Sequence, residues 1–217
     1  MNKKAKRFTA AALAGILALS CTACGEGGSG AAAGSKKIGV IQYTTVPSLD
    51  NCYKGFVKGL KDEGFEQGKN LTIDFQNAQA ETATADTEAQ TMASKKYDML
   101  SAIATPAAMS AYAASKANNI PVVFTAVSDP VAAKLVQSLD KPGTNCTGSS
   151  DQLPLEAQIQ MIRAFLPKAK KIGILYTTSE PNSLSNLATF KMLAPKYNFQ
   201  VVEQGVTNAS EVASGAQ

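Results

Sequence analysis

Twice in the middle of this chain an apolar run of strand length ends at a polar residue followed by proline. Residues 97–104 (YDMLSAIA) lead straight into Thr105-Pro106, and residues 121–126 (PVVFTA) lead within three residues into Asp129-Pro130. Threonine or aspartate satisfies the free amides at a helix start, and proline is preset for the first helical turn, so each junction reads as a strand feeding a helix. Strands joined by helices pair in parallel, and a parallel sheet needs helices on both faces. That one feature commits the chain to an open α/β architecture.

The rest of the body fits the same rhythm. Residues 37–42 form a buried strand, and Leu49, Cys52, Tyr53, Phe56 and Leu60 recur at helical spacing until Gly64. Residues 71–75 alternate as a strand, residues 83–94 form a modest helix, and the Thr105 helix runs to about Ala117. A helix from Asp129 to about Ser138 and a turn at 140–143 then lead into residues 145–149. Four parallel strands are expected in this first lobe. A second series starts near Pro154, with Leu155, Ile159, Ile162 and Phe165 on one helix face, a strand at 172–176, a helix at 182–194 and a strand at 199–203. Asn208-Ala-Ser-Glu211 has the pattern of a capping box. Two strands leave a sheet edge and face uncovered, so this second lobe is read as partial, in a truncated chain.

The first residues are an address rather than part of the fold. Lys3, Lys4, Lys6 and Arg7 precede a 13-residue apolar run (FTAAALAGILALS), right for a secretory signal and too short to span a membrane. Cys24 follows small residues and precedes a polar, glycine-rich stretch, the pattern of a lipid-modified cysteine, with Cys21 as the weaker acceptor. The expected organisation is a signal peptide over 1–23, a lipidated cysteine and flexible tether over 24–35, a first lobe over 36–147, a hinge over 148–153 and a partial second lobe over 154–217. Cys52 and Cys146 lack the spacing of a metal or redox site and are expected to be free, although export permits a disulfide.

Composition narrows the function. Histidine is absent, which removes histidine bases, nucleophilic triads that use them and histidine-containing zinc sites. No G-x-S-x-G or P-loop appears, and the one G-x-G-x-x-G, Gly25 to Gly30, falls in the glycine-rich tether rather than between a strand and a helix, so an enzyme is not expected, nor a cofactor or metal. The net charge of +4 resides in the first seven residues, and the neutral remainder argues against nucleic acid as a partner. Small ligands in open α/β sheets bind beyond the carboxyl ends of the strands. Helix-start amides with the Thr105 and Ser128 hydroxyls suit a carboxylate there, and Asp50, Asp129 or Glu180 suits an ammonium group. Thr105, Asp129 and Asn182 would equally serve as plain helix caps.

From Lys37 to about Glu211 the strings IGVIQYTTVPSLDNCYKGFVKGL, IATPAA, PVVFTAVSDPVAAKLV, KPGTNCTGSSD and KKIGILYTTSEPNS closely resemble the substrate-binding lipoproteins of bacterial ABC importers, in the branch associated with tryptophan and other aromatic amino acids. The resemblance implies a type I periplasmic-binding fold, two Rossmann-like lobes with parallel sheets flanked by helices, here with the second lobe truncated. It implies that Tyr43, Thr44 and Ser48, Thr105, Pro106 and Ala107, and Ser128 and Asp129 line the first lobe's half of the cleft. It places Ser149, Ser150 and Asp151 at the hinge and Glu180, Asn182 and Ser183 on the second lobe. Tyr43 would stack on an aromatic ligand or pack at a strand end. The implied partners are a small ligand such as an amino acid, an ABC permease with its ATPase, and the membrane through the lipid. A surface sensor, or a non-functional remnant of a binding protein, are the alternatives.

Overall fold

The computed structural model describes residues 34–217, so the signal, the lipidation cysteine and most of the tether lie outside the described residues. The first lobe runs β1 (Lys36–Gln42), α1 (Pro47–Asp62), β2 (Leu71–Asn77), α2 (Thr82–Ser94), β3 (Met99–Ile103), α3 (Thr105–Ser115), β4 (Val122–Thr125) and β5 (Cys146–Gly148). All five strands are parallel, in the order β2-β1-β3-β4-β5. The central strands read as unbroken apolar runs because both faces are covered. On one face the α1 residues Leu49, Tyr53, Phe56 and Leu60 pack on Ile38, Val40, Leu71, Ile73 and Ile103. On the other, the alanine-rich α2 and α3 lie close against Ile41, Leu100, Ala102, Val122 and Phe124.

The second lobe is smaller. It comprises α4 (Leu155–Phe165), β6 (Lys171–Thr177), α5 (Pro181–Leu193), β7 (Gln200–Val206) and the short α6 (Val212–Gly215), with β6 and β7 paired in parallel. Leu155, Ile159, Phe190, Ala194 and Phe199 form its core, against one face of the two strands. Both junctions keep Asn as the left-handed stop residue, at Asn119 after α3 and Asn198 after α5.

Three expectations need correcting. The first lobe has five strands rather than four, because residues 146–148 pair with β4. Its last residue, Gly148, runs so close to β4 that a Cβ there would sit 2.1 Å from the Phe124 carbonyl oxygen. The helix expected from Asp129 to Ser138 is a single turn. Lys134 takes a left-handed φ of 57°, its amide bonds the Val131 carbonyl, and the Leu135 amide bonds Pro130, which closes the turn as a Schellman stop after one revolution. Thr105, finally, is the first residue of α3 and not its cap. Ala104 is the cap residue, with φ of 82° and no side chain able to bond the helix amides.

Candidate functional site

The carboxyl ends of β1, β2, β6 and β7 converge on a cavity of about 810 Å³ between the lobes. Its first-lobe wall is Tyr43 and the Gln79–Ala83 segment, which runs from the end of β2 into α2. Its second-lobe wall is Thr177, Ser179 and Glu180 after β6, with residues 206–210 and Val212 after β7. The first-turn amides of α2 have no partner inside the helix, so that end carries partial positive charge at the cavity wall. Glu81 and Glu180 supply two carboxylates. Tyr43 supplies the aromatic surface and is half-buried.

Of the residues expected from sequence, Tyr43 and Glu180 line this cavity. The others are placed elsewhere. Asp50 Oδ1 accepts from the buried Gln42 Nε2 at 2.7 Å, and the same amide donates to the Thr44 carbonyl at 2.9 Å, which ties the start of α1 to the end of β1. Ser48 is exposed at the start of α1, outside the cavity lining. Thr105, Pro106 and Ala107 are buried under the first turn of α3, where they pack the sheet edge. Asn182 donates weakly to Glu180 at 3.4 Å, and its own carbonyl oxygen is buried without a partner. Ser183 Oγ accepts from the Thr177 amide at 3.0 Å and so pins the β6–α5 junction.

Ser128, Asp129, Ser150 and Asp151 form a separate cluster where the chain passes from one lobe to the other. Ser128 donates to Asp151 Oδ1 at 3.0 Å, and Ser150 donates to the Ser128 carbonyl at 3.1 Å. Asp129 Oδ1 accepts from the Ala132 amide at 2.9 Å, which makes it the cap of its single turn. Its Oδ2 accepts at 2.7 Å from Ser185 on α5, a hydrogen bond that joins the lobes. Burial pushes the Asp129 carboxyl up, while the Ala132 amide, the Ser185 hydroxyl and the Val131 amide pull it further down, so it ends below the ordinary carboxylate value. Both described cysteines are free. Burial and then the nearby Asp151 charge raise the Cys52 thiol, and burial pushes Cys146 up to about 11, so neither is activated.

Sequence reasoning missed the loop after β2 and the one after β7. The signal is the same as for the other loops, since each follows the carboxyl end of a parallel strand. Residues 77–81 (NAQAE) are bland in composition, yet Gln79, Ala80 and Glu81 line the cavity.

The family described as ABC transporter substrate binding protein matches residues 37–217. A tyrosine-binding protein of Clostridioides difficile (strain R20291) is 43% identical over 219 residues, covering 96% of this chain and 63% of that protein. A domain from Streptococcus pneumonia, solved in complex with L-Trp, is 39% identical with a TM-score of 0.80, covering 83% of this chain and 60% of that one. The ligand-free, open structure of a substrate binding protein with adhesive properties from Clostridium difficile is 47% identical, with a TM-score of 0.62 and the same coverage. The chain thus spans about three-fifths of the length of these relatives.

Proposed function

From the premise that the chain belongs to the family of ABC transporter substrate-binding proteins, we propose that it captures an aromatic amino acid between its lobes and presents it to an ABC permease. The cavity at the four strand ends carries this reading, because a ligand there touches both lobes and so shifts an open–closed equilibrium without any chemistry. The α2 start suits the ligand carboxylate, Glu180 the ammonium group, and Tyr43 the aromatic ring. Support comes also from the relatives, one binding tyrosine and one holding L-Trp. The lobes match the L-Trp complex better than the more identical ligand-free, open form, in keeping with a closed arrangement. Residues 148–153 serve as the hinge in this reading. Cys24 carries the lipid that holds the protein at the outer face of the membrane, with the signal peptide removed.

The test is titration calorimetry of the chain with L-Trp, L-Tyr, L-Phe and L-Leu. Aromatic ligands are expected to bind with micromolar affinity, about 8 kcal/mol, and to raise the thermal midpoint. Equal binding of leucine would remove the aromatic assignment, and no binding by any of the four would remove the amino-acid reading.

A further inference from the structure

Eight described residues other than glycine have positive φ, and they fall into two kinds. Lys96, Asn119, Lys134 and Asn198 each end a helix or helical turn, the usual place for a left-handed residue. Gln79, Ala80, Ala104 and Ala126 instead follow strands at the carboxyl edge of the first sheet. Strain of this kind persists only where surrounding bonds enforce it, and it collects at functional sites. Gln79 (φ 54°) and Ala80 (φ 64°) are consecutive, and both line the cavity.

The bonds that enforce this turn centre on Tyr43. Its carbonyl accepts the Ala80 amide at 2.7 Å, and its phenolic hydroxyl donates to the Ala80 carbonyl at 2.8 Å. Backbone and side chain of one residue therefore grip both polar groups of the other. The Gln79 amide donates to Asn77 Oδ1 at 2.8 Å, and Asn77 in turn donates to Thr45 Oγ1 at 3.0 Å. Since its proton is committed to Ala80, the Tyr43 hydroxyl offers a ligand only its remaining lone pair and the ring face.

We infer that Tyr43 is a positioning residue, whose hydroxyl holds the Gln79-Ala80 turn left-handed so that the turn's backbone shapes the ligand cavity. The inference rests on the cavity being the ligand site. It differs from a stacking role, which needs the ring alone and is indifferent to the hydroxyl.

Tyr43→Phe separates the two, because it keeps the ring and removes the bond to Ala80. Calorimetry with L-Trp and L-Tyr and amide hydrogen exchange of the ligand-free full chain are the readouts. Tyr43→Phe is expected to raise Kd about fivefold and to speed exchange at the Ala80 amide. Adding Ala80→Gly is expected to bring Kd back to within about twofold of the parent, because glycine enters left-handed backbone at no steric cost. Unchanged exchange in Tyr43→Phe would overturn the inference, as would faster exchange with unchanged Kd, or failure of Ala80→Gly to restore affinity. Should the parent chain bind neither amino acid, the ligand assignment fails, and exchange at Ala80 still decides whether the hydroxyl holds the turn.

Discussion

The two lobes share a βα plan but differ in how much of each strand they cover. In the first, β1 and β3 are clothed on both faces, and Val40, Ile41, Leu100 and Ile103 are all fully buried. In the second, one face of the β6–β7 pair packs on α4 and α5, while Leu175 and Val202 on the other remain 39% and 49% exposed. Among the described residues the tip of α6 leans on that side, where a Cβ at Gly215 would lie 3.0 Å from the Leu175 side chain. Burial of apolar surface is the main stabilising term, so the first lobe holds itself together and the described part of the second has a thin margin. The lesson is that the cavity joins a rigid wall to a soft one.

The largest expected effect tests that asymmetry directly. Leu100→Ala and Ile159→Ala each remove a fully buried side chain from the core of one lobe, at a cost of about 3 kcal/mol. In the first lobe the loss lowers protection but leaves a folded sheet. In the second it exceeds what one covered face sustains, so amide exchange across residues 155–206 becomes fast while residues 36–148 stay protected. A single transition lost equally in both lobes would show that they fold as one unit, and the contrast would be gone.

A somewhat smaller effect is expected at Arg163, which does for the second lobe what bulk burial does for the first. Its guanidinium donates to the carbonyls of Tyr197, Asn198, Leu166, Pro167 and Ala169, and it lies 3.6 Å from the centroid of the Phe199 ring. These carbonyls sit at or beyond the ends of α4 and of the turn after α5, where the helical bonding runs out, although the Leu166 carbonyl also accepts the Ala169 amide. Arg163→Ala is expected to cost about 2 kcal/mol, read as a drop in denaturant midpoint confined to second-lobe probes. Arg163→Lys should recover little of it, because an ammonium group cannot reach a fan of acceptors that a planar fork spans.

Arg163 also shows where reading the sequence stops. Strand and helix positions followed from periodicity, and the α/β plan from the residues after each strand, because those signals are local. The α4 face of Leu155, Ile159 and Ile162 was legible for the same reason. That Arg163 would gather carbonyls from a turn thirty-odd residues away was not, since nothing in its neighbours encodes the partner. The same limit applied to the cavity. Tyr43 and Glu180, which line it, are legible as residues that follow strands, whereas the left-handed backbone of Gln79 and Ala80 is not disclosed by composition. The Asp129 helix failed for the opposite reason. Its start signal was real, and Asp129 does cap a turn, but a left-handed Lys134 ended it without the glycine that usually announces such a stop.

The smallest expected effect concerns the join between the lobes. Among the described residues the Ser185 to Asp129 bond is a side-chain link from the soft lobe to the rigid one, and it lies outside the cavity lining. On the proposal that opening breaks this bond, Ser185→Ala is expected to leave the stability of each lobe unchanged and to weaken ligand binding about fivefold. The pH dependence follows in sign. A carboxylate held below its ordinary value contributes fully above that value, and the contribution disappears as pH falls through the lowered one. On the proposal that opening parts Ser185 from Asp129 while the burial and the Ala132 and Val131 amides of its own turn stay in place, Asp129 of the open form binds a proton more readily, and acid favours opening. Small-angle scattering from pH 7 down into the carboxylate range should then show the ligand-free chain expanding before either lobe unfolds. Asp129→Asn should flatten that response, whereas Asp151→Asn, which alters a carboxylate held by Ser128, should leave it in place. Expansion that persists in Asp129→Asn would mean that acid acts on the soft lobe itself, and the link would then carry no part of the closing equilibrium.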